Sequence, residues 1–284
     1  MTKHLCLAVF LGVANFLSAQ TASDTAKYHL STLWWQVGVE NLALKDPYLS
    51  PLKYKGSGFG AVVNERNFFL RRSEKIISTW SVLLDYGSLL NPSQTASMLY
   101  LGLNGTYGLH YAFRPFPRLL LLAGGALDID GGVKYLARNT NNPVNFDCAA
   151  NLNASALAQV KIPMFRRVCQ AELAVRTPLF GGMYVPQNGI SYYEMSFSKN
   201  GMKNAWHIST PVNKYGYNAN LAFDFPLNHY TIRLSGNSEY VKYKANNVVY
   251  YRAINSISIG CKYDFFIFSS RKRQLPQNFV SPND

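Results

Sequence analysis

The sequence predicts an all-β protein: a transmembrane, antiparallel, up-and-down β-barrel of about twelve strands, with ten to fourteen compatible with the pattern. Three observations lead there. Apolar and polar residues alternate with period two over stretches long enough to cross a bilayer as strands. Charged residues are scarce at 15 % while hydrophobic ones reach 48 %. Short turns also alternate with long connectors, as barrels of this type require.

The alternation is clearest in RLLLLAGGALDIDGGVKY, residues 118–135. Its odd positions run from Leu119 and Leu121 to Val133 and Tyr135, while its even positions include Asp128, Asp130 and Lys134. One face therefore suits hydrocarbon and the other a polar interior. Lipid offers the backbone no hydrogen bonds, so such strands can span it only as a ring without free edges.

In chain order, strands are placed at 32–41, 56–66, 75–87, 97–113, 118–136, 148–162, 167–177, 190–198, 203–211, 216–226, 229–243 and 249–268. The first three are delimited by the long connectors NLALKDPYLSPLKYKG and SLLNPSQTA. In the fourth, Leu99, Leu101, Leu103, Tyr107 and Phe113 oppose Tyr100, Asn104, Thr106 and His110. The sixth sets Leu152 and Val160 against Asn151, Asn153 and Gln159. The eighth has the least support. The tenth opposes Leu221 and Phe223 to Asn220 and Asp224, and the last opposes Ile257 and Ile259 to Ser258, Lys262 and Asp264. With the N-terminus inside, RPFP, PMFRR, SKNG and FPLN become periplasmic turns, and ARNTNNPVNFD and PLFGGMYVPQNG external loops.

Flanking segments complete the organisation. Residues 1–19 read as a signal peptide, with Lys3 ahead of an apolar run from Leu5 to Leu17 and Ala19 before the cut. A periplasmic segment 20–31, the barrel 32–268 and a basic periplasmic tail 269–284 follow. The tail carries Arg271, Lys272 and Arg273, for which a solvated role outweighs contact with anionic headgroups. Beyond residue 20 no apolar run approaches the roughly 20 residues of a spanning helix. Cys148, Cys169 and Cys261 are expected as free thiols, since Cys148 and Cys169 would sit at opposite rims. A net charge of +13 in an exported, aromatic-rich chain points to outer-membrane lipids and lipopolysaccharide as partners, not to nucleic acid.

Three segments, YLSPLKYKGSGFG (48–60), VPQNGISYYEMS (185–196) and SISIGCKYDFFIFSSRKRQLP (256–276), resemble an uncharacterised family of outer-membrane β-barrel proteins of Bacteroides-type bacteria. The resemblance implies a fold and an outer-membrane location; for an outer-membrane barrel, the barrel-assembly machinery is the expected partner during biogenesis. It implies no catalytic residues. One departure from outer-membrane barrels is that Phe268 does not close the chain.

Of the residues that carry chemistry, His207 and Ser209 share a strand face, as in outer-membrane esterases. Position 210 is Thr, no orienting carboxylate is identifiable, and Trp206 and Ile208 take the lipid face, so a lumen-lining pair outweighs catalysis. Expected in the lumen are Tyr100, Asn104, His110, Asp128, Asp130, Lys134, Glu172, Arg176, Asp224, Arg233, Lys262 and Asp264. They would form either a charged constriction for a small solute or a self-neutralising plug, with the plug favoured. His29, His110, His207 and His229 are scattered, so neither a metal nor a cofactor is expected. Trp34, Trp35, Trp80, Tyr86, Tyr111 and Tyr135 read as interfacial girdles. Function then lies among a narrow passage or structural surface protein, a lipid-modifying hydrolase, and a binding protein using loops 41–55, 136–147 and 178–189.

Overall fold

The computed structural model describes residues 28–70, 73–140, 142–164, 167–199, 201–227, 230–266 and 279–283. The expected signal peptide, His229, Phe268 and the Arg271, Lys272, Arg273 cluster lie outside the described residues. After the two-residue β1 (Tyr28–His29), a meander runs through β2 (Ser31–Lys45), β3 (Lys53–Leu70), β4 (Ser73–Leu90), β5 (Ser97–Phe116), β6 (Leu119–Tyr135), β7 (Val144–Met164) and β8 (Arg167–Tyr184). Helix α1 (Tyr192–Phe197), a single 3-10 turn (Lys203–Ala205) and β9 (Trp206–Ser209) intervene before β10 (Lys214–Pro226), β11 (Thr231–Ala245) and β12 (Val248–Phe265). All barrel pairings are antiparallel. β12 pairs with β2 and β8 pairs with β10, so ten strands close the ring, within the expected range of ten to fourteen.

The difference from twelve comes from one region. Residues expected as the eighth strand, 190–198, contain α1 instead, begun by a capping box: Ser191 Oγ accepts from Glu194 N at 3.1 Å and Glu194 Oε2 accepts from Ser191 N at 2.8 Å. The expected ninth strand shrinks to β9, which continues into β10 as one interrupted descending strand against β8. β9 pairs with Gly181–Tyr184 and β10 with residues 170–176. Between them Pro211, which has no N–H to donate, sits in a turn closed by Lys214 N on Thr210 O at 2.8 Å. SKNG therefore lies with the long connectors, not with the short turns.

The outer wall is apolar along the alternation: Leu103, Leu127, Leu152, Leu221, Leu234 and Ile257 are all exposed, while Asn104, Asn151, Asn153, Asp224 and Ser235 on the opposite phase are buried. Water would leave this belt far larger than the apolar patches soluble proteins tolerate; hydrocarbon matches it. Trp35, Tyr86, Tyr111 and Tyr135 are exposed on this wall. Trp34 is not: it is buried inside, since its neighbour Trp35 takes the outer phase.

The two ends differ. At the hairpin end the connectors are short. At the other, the loop end, residues 46–52, 91–96, 136–140, 142–143, 185–199 and 201–205 fold onto the barrel rim. There Leu49, Leu136 and Val185 join Tyr54, Met98, Met183 and Tyr250 from the strands in one apolar core, forming a cap. Asn246, with φ +50° beside Asn247 at +60°, makes the tight β11–β12 turn and ties the cap together by donating to Val185 O at 2.8 Å. At the hairpin end, β13 (Phe279–Val280) lies parallel to β1. Residues of the expected tail thus enter the barrel mouth: Asn283 is buried, donates to Thr32 Oγ1 at 2.6 Å and accepts from Arg66 at 2.7 Å.

If the outer face meets hydrocarbon, Ile257→Arg, halfway along β12 and 67 % exposed, lowers unfolding free energy in lipid by about 2 to 4 kcal/mol. Denaturant titration in vesicles checks this.

Candidate functional site

The interior side chains meet across the ring, which identifies the lumen as the candidate site. In a ring of ten, β3 and β8 stand opposite one another, as do β12 and β6. Side chains from opposite strands can touch only through the centre.

Two ion-pair layers do so. Near the hairpin end, Arg66 of β3 reaches Glu172 of β8 at 2.8 Å, and Arg233 of β11 holds the other oxygen of the same carboxylate. Both guanidiniums flank the Trp34 ring, at 5.5 and 4.9 Å from its centre. Lys262 pairs with Asp224 at 2.8 Å and with Gln170 at 3.1 Å. Asp264 lies at the rim, accepting from Thr32 at 2.6 Å and Ser281 at 3.0 Å.

Near the loop end, Arg252 of β12 donates to Asp130 of β6 at 3.0 Å, to Tyr100 at 2.7 Å and to Glu239 at 2.6 Å. Lys134, fully buried, bridges Asp147 and the cap residue Asp46, both at 2.5 Å. Tyr250 donates to Asp147 at 3.0 Å, and Asn145 to Asp46 at 2.6 Å. The cap is therefore bolted to the lumen network. Burying this many charges is tolerable because each of these cations faces a carboxylate at bonding distance.

Between the layers lies a cavity of about 160 Å³. Glu40, Asp85, Asn104, Thr106, His110 and Arg176 are among its lining residues. Asp128 accepts from Asn104 and Thr106, both at 2.8 Å; Arg176 donates to Thr106; His110 Nε2 lies 2.9 Å from Ser155 Oγ.

Asp128, Asp130 and Lys134 do not converge on one constriction: Asp128 binds neutral partners, whereas Asp130 and Lys134 belong to different bridges. His207 and Ser209 are not coupled. Ser209 Oγ donates to Asn151 Oδ1 at 2.9 Å, and His207 Nε2 is buried without a partner. Sequence reasoning missed Arg66, Arg252, Glu40, Asp85, Glu239 and the cap residue Asp46. Extending the phase of Ser258 and Lys262 backwards would have turned Arg252 inward; nothing local marks Asp46. Among the described residues no cluster of three or more metal-ligating side chains forms.

In the cap, burial first, then the charges of Tyr184, Asp46 and Glu194, push the Tyr48 phenol up to about 12. Tyr192 is likewise raised by burial, and Glu194 is lowered by the hydrogen bonds of its capping box.

A family profile described as "Protein of unknown function (DUF3316)" matches residues 4–272. No curated protein matches the chain. Among solved structures, the outer membrane protease OmpT from Escherichia coli is 9 % identical, covering 87 % of this chain and 100 % of its own, at a TM-score of 0.49. The translocator domain of the autotransporter NalP from Neisseria meningitidis is 10 % identical, covering 91 % and 93 %, at 0.43. The transport unit of the autotransporter AIDA-I from Escherichia coli is 9 % identical, covering 91 % and 97 %, also at 0.43. No activity transfers at such similarity.

Glu172→Gln leaves buried Arg66 with no carboxylate partner and Arg233 with only Asp224, at 3.4 Å. It should cost about 3 to 5 kcal/mol, read from the denaturant midpoint, and more than Glu172→Gln combined with Arg66→Met. For Tyr48, the folded pKa lies above the ordinary value of 10.0, so its contribution to stability is complete below pH 10 and lost as pH rises towards about 12. Phenolate absorbance of wild type minus Tyr48→Phe should titrate near the higher value.

Proposed function

We infer that the chain, which belongs to the family described as "Protein of unknown function (DUF3316)", acts as a closed outer-membrane barrel that holds a folded cap at the cell surface. The observation that carries this reading is that ion pairs span the full ring at two levels, Arg66 to Glu172 and Arg252 to Asp130. A diffusive pore needs a continuous wet path. Here a solute would have to part both layers, each leaving unpaired buried charge. The cap above and Ser281–Asn283 below obstruct the same path. The narrow-passage reading is correspondingly weakened.

The hydrolase reading lacks its chemistry. A serine nucleophile must give its proton to a base, and Ser209 gives it to an amide oxygen. The surface-binding reading gains one specific observation: Tyr193 and Phe197 stand on α1 at 72 % and 76 % exposure with rings 4.6 Å apart. Such aromatics supply contact area with little entropy to lose. Lipids contact the apolar wall, and export by a cleaved signal peptide with insertion by the barrel-assembly machinery belongs to the same proposal.

Refolded protein in planar bilayers should give no regular conductance steps; steady unitary steps would sink the closed-barrel reading. An epitope inserted between Gln187 and Asn188 should bind antibody on intact cells. Labelling only after permeabilisation would reverse the orientation.

A further inference from the structure

The mid-barrel cavity contains two carboxyl groups that the ion-pair layers leave out. Glu40 of β2 and Asp85 of β4 are each only 4 % exposed. They approach across β3 because the residue between them is Gly60, where a Cβ would come within 2.1 Å of Glu40 Oε1 and 3.5 Å of Asp85 Oδ1. Glu40 Oε2 and Asp85 Oδ1 are buried and accept from no donor outside the pair, while the two carboxyl side chains hydrogen-bond each other, which requires one of them to be protonated. None of the ion pairs among the described residues includes either group.

The neighbouring cations are committed elsewhere. Arg252 directs its donors to Glu239, Tyr100 and Asp130. Arg66 and Arg233, which also line the cavity, share Glu172, and Arg176 donates to Thr106. Two adjacent buried carboxylates cannot both keep their charge without a compensating cation. Alongside apolar Val62, Leu83 and Ile254, the lining offers amides and hydroxyls, among them Gln36, Asn237 and Ser256, whose oxygens can complete the coordination of a weakly charged ion. The volume of about 160 Å³ leaves room for an ion with several waters.

We propose that this cavity binds one small monovalent cation, an alkali ion or a protonated primary amine, between the Glu40 and Asp85 carboxylates. On the closed-barrel reading proposed above, the ion is an occupant taken up as the barrel forms. One of the two carboxyls keeps a proton, and the ion balances the charge of the other, where no side chain does.

The test refolds the full mature chain at one ionic strength in sodium, potassium, methylammonium or N-methylglucamine chloride, the last too bulky for the cavity, and compares melting temperatures. At tenfold saturation, at least one small cation should raise Tm over N-methylglucamine by about 3 to 6 °C. Which of them does so separates alkali ion from amine. The difference should vanish in the isosteric Glu40→Gln, Asp85→Asn double variant. Equal Tm in all four salts, the result expected if the two groups merely share a proton, overturns the proposal, as does a difference that persists in the double variant. If that variant does not refold, wild-type crystals decide, grown in rubidium chloride where an alkali ion raised Tm or in methylammonium chloride where the amine did: an ordered cation between the two carboxyl groups supports the site, and its absence overturns it.

Discussion

Hydrocarbon neither accepts a hydrogen bond nor solvates a charge, and every other feature of this protein follows from that refusal. The backbone must satisfy itself, so the interrupted strand formed by β9 and β10 still has to pair with β8 along both of its pieces, and β12 must find β2. Charges must point inward. Once inside a ring too narrow for bulk water, they must find one another. Their pairing across the diameter then braces the wall that forced them inward.

The bracing is uneven along the axis in a way that bears on function. The hairpin-end layer is built of long arginines converging on Glu172 and stacked on Trp34, with Asn283 inserted from the chain's own C-terminal stretch. The loop-end layer reaches upward, because Lys134 takes Asp46 from a connector as readily as Asp147 from a strand. Lumen and cap are therefore one cooperative unit, and an apolar core continues from the strands into the loops. A barrel meant to gate at its outer end would be expected to keep its loops free of such ties.

Strand identity and facing were largely legible, because period-two alternation is a local property enforced by lipid on one side. Residues 119–135 behave as their pattern predicts. The region 185–213 was misread for an equally local reason: α1 is too short for helical periodicity to emerge, although Ser191 and Glu194 already spell a capping box. Trp34 misled by type, since an aromatic near a strand end suits a girdle, yet its phase in β2 turns it onto two arginines.

By itself, the sequence determined that long strands alternate between hydrocarbon and a polar interior, that the connectors differ in length at the two ends, and that the inward residues carry both signs of charge. Those properties reside in each residue and its neighbours two places away. Tertiary structure alone decided that ten strands close the ring, which carboxylate each guanidinium meets, and that Glu40 and Asp85 are left beside one another with no cation. Closure and register set which strands stand opposite, and partners such as Arg66 and Glu172, 106 residues apart, share nothing in the chain that would announce their meeting.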